Sequence, residues 1–454
     1  MSEVKSKTLN MTKGDPLATI LVFAVPMILS NLFQQFYSLI DGIIVGKLLG
    51  TDAFAAVASA GSITAVFVQL ASGLALGGSI VIAQYFGAGK TDKIWQCTTT
   101  STIFSVAVAL VSTVVIWFTA EPLLLLVNTP EELLSTGVTY LRCYIIGCVP
   151  LFAYNALNGV YTALGDSRTP LRFLIISSVL NVALDLILLM GFKMGIAAAA
   201  LDTAFAQAVA AVLAFVDIPK LLAEFKHDKN EPVFDGKLLG TMLKFAVPSA
   251  LQQSVVTVGS VVVQATINGF GAAAIAGSAA AGRVVDLATA IPVNYGFALS
   301  SYVGQNIGAN KPERIRPGLW GSILTCGSIS LVMTAIFELF PNQIVSLFVP
   351  KTEAVLADVL AVGSVYLRVV GAFLIVFTVF MLVKAVFKGS GDMSWFIFVT
   401  LLSFCIRLVL TVGFAHIFGV DIIWWAFCAG WVVATLVTIA RYLQGGWRKK
   451  GIVK

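Results

Sequence analysis

Apolar runs alternate with short polar connectors along the whole chain. The runs lie near 17–46, 54–78, 95–119, 137–160, 170–191, 195–217, 239–266, 275–300, 318–340, 361–384, 394–415 and 420–441. Each is long enough to cross a hydrocarbon core of about 30 Å as a helix. The pattern predicts an all-α, polytopic membrane protein with twelve transmembrane helices. Within it, the run NLFQQFYSLIDGIIVGKLLG (31–50) sets Asp41 among Leu39, Ile40, Ile43, Ile44 and Val45. In a bilayer that carboxyl costs several kcal/mol unless it has partners or a role.

Composition agrees with the pattern. Hydrophobic residues make up 58% of the 454, charged residues 11%, and the mean hydropathy is +0.93. A water-facing surface normally needs about a quarter charged residues, more than this chain has. The opening MSEVKSKTLNMTKGDP is polar and basic and lacks the apolar stretch of a cleaved signal peptide. All six cysteines (Cys97, Cys143, Cys148, Cys326, Cys405 and Cys428) fall in or beside apolar runs without metal-ligand spacing, so they are expected as small buried hydrophobes.

Basic residues set the orientation. With a cytoplasmic N-terminus, that side receives Lys5, Lys7, Lys13, Lys90, Lys93, Arg168, Arg172, Lys220, Lys226, Lys229 and Lys237. It also receives Lys311, Arg314, Arg316, Lys384, Lys388, Arg441, Arg448, Lys449, Lys450 and Lys454. The other side keeps Lys47, Lys193 and Lys351. The positive-inside rule then places both termini in the cytoplasm of a cell-membrane protein. The net charge of +6 is accounted for there and gives no reason to expect a nucleic-acid partner.

The sequence is written twice. The charged linker DIPKLLAEFKHDKNEPVFDGK (217–237) divides the runs six and six. FAVP at 23–26 recurs at 245–248, QYFGAGKTDKI at 84–94 matches QNIGANKPERI at 305–315, YLR at 140–142 recurs at 366–368, and GD at 165–166 recurs at 391–392. The expected organisation is a cytoplasmic segment 1–16, a six-helix bundle 17–217, a linker 218–238, a second six-helix bundle 239–441 and a basic tail 442–454. Because each half has an even number of spans, the two bundles are expected around a pseudo-twofold axis along the membrane normal, as in parallel-repeat transporters.

With about 1.5 Å of rise per residue, Asp41, Asp185 and Asp202 fall in one layer roughly 8–11 Å below the outer boundary. Asn31, Gln34, Ser38 and Asp41 are spaced by three or four residues and share a helix face, with Tyr37 one turn before Asp41. Ser177, Asn181 and Asp185 repeat at i, i+4, and Thr203 and Gln207 accompany Asp202. Gln207 and Ser177 read most simply as helix-packing groups. Clustered intramembrane acids read instead as a proton or ion site. A proton fits such a cluster, and so does Na⁺ at Asp41, Asn181 and Asp185, a set of hard oxygen donors; the sequence does not choose.

The second half differs. Asp286 lies mid-span with Arg283 three residues before it, and Arg407 occupies the repeat position of Asn181. Two readings stand: a structural ion pair between Asp286 and an Arg, or a gating or substrate role for Asp286, Arg283 and Arg407 in the cavity. Arg142 and Arg368 lie near the outer interface, where snorkelling accounts for them. His227 and His416 have no catalytic or metal-binding company. Glycine-rich SGLALGG reads as close helix packing. Pro26, Pro248 and Pro292 fall inside spans as bending points.

Together MTKGDPLATILVFAVP, DGIIVGKLLG, QYFGAGK with VGQNIGANKPERI, ALGDSRTP and NVALDLILL resemble the multidrug and toxic compound extrusion (MATE) family over nearly the whole chain. The resemblance implies twelve helices in two bundles opening alternately to each side, with export driven by inward H⁺ or Na⁺ flow. More narrowly, Asp41 with Asn181 and Asp185 looks like the DinF-type and archaeal branches, whose amino-terminal bundle holds the coupling cation. Thr203 matches a position of that site, and Gln34 and Tyr37 fall where members line the same cavity. The branch that uses acids in the seventh and tenth spans is not matched. Asp202 departs from the family, which usually has a small apolar residue there.

The expected function is a cation-coupled antiporter exporting amphipathic, cationic organic compounds. It needs no cofactor beyond the transported ion, and a monomer among membrane lipids suffices. The alternative is a flippase for a lipid-linked or anionic precursor, which would line its cavity with Arg or Lys. A membrane enzyme lacks any nucleophile, metal or acid–base constellation beyond the Asp cluster.

Overall fold

The computed structural model describes residues 8–127, 129–192, 194–225, 232–348 and 356–452. Of the positions read from sequence, Lys5, Lys7, Lys193, Lys226, His227, Lys229, Lys351 and Lys454 lie outside them. Most of the described residues are helical. Ten helices are long and apolar enough to cross a membrane, and two bent pairs raise the count to twelve when each pair is one span.

The first half comprises α1 (Pro16–Leu49), α2 (Thr51–Gly87), α3 (Asp92–Leu126), α4 (Glu131–Ile146), α5 (Cys148–Ala163), α6 (Arg168–Asp185) and α7 (Ile196–Leu222). The second comprises α8 (Gly236–Asn268), α9 (Ala272–Gly308), α10 (Ile315–Leu339), the short α11 (Pro341–Ser346), α12 (Leu356–Ala372), α13 (Leu374–Ser390), α14 (Met393–Phe418) and α15 (Asp421–Gln444). The run expected at 137–160 is the pair α4 and α5, bent by 45° at Gly147. Pro150 follows in the first turn of α5 and cannot donate back to Ile146, which explains the break. The run at 361–384 is α12 and α13, bent by 50°.

The internal repeat holds at the level of single dihedrals. α2 and α9 each run 37 residues, and each is followed by a left-handed residue two positions after its end. That residue is Gly89 (φ 72°) after α2 and Asn310 (φ 54°) after α9. Asn is one of the few other residues that tolerates this conformation, so the turn survives the loss of its glycine. The GD motif keeps its turn but not its bonding. Asp166 accepts hydrogen bonds from the N–H groups of Arg168 and Thr169, both at 3.0 Å, and from the Thr169 hydroxyl at 2.6 Å, capping α6. Its counterpart Asp392 is instead held by Arg441 at 2.7 Å and Lys450 at 3.9 Å.

The chain forms two compact units, one of Leu29–Ser254 with the segment up to Asn10, the other of Met11–Ile28 with Val255–Ile452. The division runs through α1 and α8, not through the linker. In the second unit the incoming segment is fastened by polar contacts. Gln305 accepts the Met11 N–H at 2.8 Å, Asn306 donates to the Met11 carbonyl at 3.2 Å, and Arg314 donates to the Gly14 carbonyl at 2.8 Å. In the first unit, 232–235 is fastened to α3 in the same manner. Thr99 donates to the Val233 carbonyl at 2.6 Å, and the Asp235 N–H donates to Thr100 at 3.0 Å. The second copy of the repeat, QNIGANKPERI, is therefore partly a set of anchors.

Each unit has its own apolar core. In the first it centres on Ala60, Ile63, Ala109, Ile116, Leu141 and Phe152; in the second on Val285, Phe337, Leu367, Val370, Ile423 and Trp424. The outer faces are apolar as well: Phe118 is 76% exposed and Leu126 77%, an arrangement water does not tolerate and lipid does. Close approach explains SGLALGG. A Cβ on Gly77 would lie 2.6 Å from the Met242 carbonyl oxygen and the Ala246 Cβ, so α2 and α8 touch there through hydrogen alone. Cysteine burial holds in part. Cys97, Cys148, Cys326 and Cys428 are buried and Cys143 half-buried, but Cys405 is exposed on α14, where a small apolar thiol suits a lipid-facing surface.

Candidate functional site

The first unit brings the three acids read from sequence together. Asp41 comes from α1, Asp185 from the last turn of α6 and Asp202 from the first half of α7. Asp185 is fully buried and Asp202 is 1% exposed, while Asp41 is half-buried. The Asp185 carboxyl lies within electrostatic range of both Asp41 and Asp202. Asp185 is also where α6 gives way to a π-helical turn, Leu186–Gly191. Such turns are rare and recur at functional sites, because the wider ring re-aims the side chains around it.

Hydrogen bonding within the cluster is sparse. Asn181 Nδ2 donates to the Thr203 hydroxyl at 3.4 Å. That hydroxyl lies 3.1 Å from the Ala199 carbonyl and 3.4 Å from Asp202 Oδ1. By contrast Asp41 Oδ1, Asn181 Oδ1, both oxygens of Asp185 and Asp202 Oδ2 are buried without a hydrogen-bond partner. Buried polar atoms are nearly always satisfied, and the Asp185 carboxyl faces those of Asp41 and Asp202, so the group calls for a proton shared between carboxyls or for a bound cation. Three carboxylates in low dielectric with no counter-charge are untenable; at least one proton or cation must reside among them.

Three phenols of the same unit lie within electrostatic range of the acids. Tyr37 faces Thr203 and lies in electrostatic range of Asp41, Asp185 and Tyr144. Tyr140 and Tyr144 stack with ring centroids 6.0 Å apart, and Tyr140 is in range of Asp41 and Asp202. The sequence reading passed over this pair, although its i, i+4 spacing on α4 was the available signal. Gln207 faces Tyr144, in keeping with a packing role between α7 and α4. Gln34 is exposed and takes no part in the cluster's hydrogen bonds, and Gln35 donates to Asn31 at 2.8 Å. Among the described residues no group of three or more His, Cys, Asp or Glu is arranged to hold a metal ion.

In the second unit no ion pair joins Asp286 to an Arg among the described residues. Arg283 and Asp286 are both exposed on α9. Arg407 turns onto an aromatic face instead, its Cζ 3.3 Å from the Phe427 ring centroid, with Nε buried and unpartnered. Tyr366, stacked on Trp424 at 4.0 Å, lies in electrostatic range of both Asp286 and Arg407. The expectation of a structural ion pair therefore fails, because stacking and not a carboxylate positions the guanidinium.

Comparison with known proteins places this architecture. The MatE family model matches residues 26–187 and 248–412, one segment in each half of the chain. The chain belongs to the MatE family. The probable multidrug resistance protein YpnP of Bacillus subtilis is 27% identical over 444 residues, covering 97% of this chain and 98% of its own. A MOP superfamily transporter from Pyrococcus furiosus superposes with a TM-score of 0.89 at 22% identity, covering 99% of this chain and all of that one. A multidrug resistance MATE family transporter solved in an outward-facing conformation gives 0.89 at 23% identity, covering 98% of this chain. Members of the MatE family are transporters and not enzymes, and the twelve-span, two-bundle fold read from the sequence is theirs. The flippase alternative is not favoured by these relatives.

Proposed function

We propose that this transporter is an antiporter that exports amphipathic, cationic organic compounds against an inward flow of H⁺ or Na⁺, by alternating access, as a monomer with both termini in the cytoplasm. The observation that carries the reading is the group of unpartnered oxygens on Asp41, Asn181, Asp185 and Asp202. A cluster that must hold a positive charge when closed, and can surrender it to water when open, couples that charge to the change of facing. Asp41, Asn181, Asp185, Asp202 and Thr203 are the coupling residues in this scheme, with Gln34 and Tyr37 lining the substrate path beside them. If the ion is Na⁺, the Asn181 amide and Thr203 hydroxyl oxygens complete a shell that the carboxylates begin, since hard cations take neutral oxygens readily.

The test uses proteoliposomes loaded with a fluorescent cationic dye under an imposed pH or Na⁺ gradient. Dye movement driven by one gradient, and lost in Asp41→Asn, is the expected result, and the effective gradient names the ion. Dye movement under neither gradient, from folded protein, overturns the proposal; so does full activity in Asp41→Asn.

A further inference from the structure

The second unit contains two cations that the coupling scheme does not use. Lys384 and Lys388 stand one turn apart on α13, and the sequence reading had placed both in the cytoplasmic positive charge. The structure buries them: α13 continues to Ser390, and the residues are 9% and 5% exposed. A snorkelling lysine sends its ammonium out to water. These two point at aromatic faces. Lys384 Nζ lies 4.8 Å from the ring centroid of Phe380 and 5.5 Å from that of Phe396, and Lys388 Nζ lies 3.9 Å from that of Phe297.

Among the described residues neither ammonium has a carboxylate within ion-pair distance. The nearest acid in sequence, Asp392, is already held by Arg441 and Lys450. Contact with a ring face offsets only part of the cost of taking an ammonium out of water, and two like charges on adjacent turns add to that cost. Such a pair is placed to receive an anion, and the surrounding phenylalanines suit an aromatic body attached to it.

We infer that Lys384 and Lys388, with Phe297, Phe380 and Phe396, form a binding site for small aromatic organic anions. The ligand's sulfonate, carboxylate or phosphate lies between the two ammonium groups and its ring lies against the phenylalanines. This widens the ligand class beyond the organic cations proposed above and does not depend on the coupling scheme, because binding at equilibrium needs no gradient.

The experiment compares two probes that differ by a sulfonate, 1-anilinonaphthalene-8-sulfonate and N-phenyl-1-naphthylamine. Both are titrated by fluorescence into the full chain in phosphatidylcholine nanodiscs, with empty nanodiscs subtracted. The expected result is sulfonate binding weakened at least tenfold in the Lys384→Gln/Lys388→Gln variant and kept within threefold in Lys384→Arg/Lys388→Arg, with the uncharged probe unchanged. Equal sulfonate binding by wild type and the Gln variant overturns the inference. Should the Gln variant fail to fold, wild type alone decides: excess benzenesulfonate displaces the anionic probe and not the neutral one if the site exists, and displaces neither if it does not.

Discussion

At the scale of single residues, the acids of this chain separate by their partners. Asp166 takes three hydrogen bonds and Asp392 a close guanidinium, whereas both oxygens of the fully buried Asp185 take none. The first two belong to the scaffold; the proposed function assigns the third to the machinery, and substitution should separate them. Asp185→Asn is expected to abolish gradient-driven dye movement while the unfolding temperature stays near wild type, since an amide fits the same space. Asp166→Ala is expected to lower stability by about 1 kcal/mol, the usual worth of a helix cap, and to leave transport per folded molecule intact. Thermal unfolding in detergent, read beside the liposome assay, checks both. Transport surviving in Asp185→Asn would remove that residue from the cluster's function.

At the scale of helices, small residues decide how closely elements approach. Gly77→Ala would drive a methyl into the Met242 carbonyl, so α2 and α8 must part. A loss of roughly 1–3 kcal/mol is expected, as for overpacking elsewhere. Gly240→Ala meets nothing within 4 Å on the same α8 and should be neutral or stabilise by up to about 1 kcal/mol, because alanine is the better helix former. Unfolding temperatures of the two variants test the pair; similar losses in both would show that helix propensity, not contact, governs. The π-helical turn after Asp185 belongs to this scale too. NVALDLILL reads as one continuous helical run, and no residue in it announces the change of winding.

At the scale of the molecule, the two halves share a plan and differ in charge. The first unit gathers Asp41, Asp185 and Asp202; the second holds Arg407, Lys384 and Lys388, with Asp286 as an exposed acid on α9. Duplication explains the shared plan, down to the left-handed residue after α2 and α9, and divergence explains the charges. The orientation predicted from the basic residues is tested with a fluorescent-protein fusion at the C-terminus. Fluorescence is expected, because that fusion matures in the cytoplasm; an active periplasmic phosphatase fusion at the same place would reverse the topology.

The sequence by itself determined the solvent, the number of spans, the duplication and the three acids that the fold brings together. Each of these follows from local composition or from spacing along a helix, which a chain carries before it folds. Only the tertiary structure decided which polar groups find partners. Arg407 shares its unit with Asp286, which sequence offered as its partner, and stacks on Phe427 instead. Lys384 and Lys388 fall at the edge of an apolar run, where sequence reads them as surface charge, yet neighbouring helices cover them. Partnering depends on how helices distant in sequence are rotated against one another, and that rotation is fixed by packing across the whole unit rather than by any one stretch.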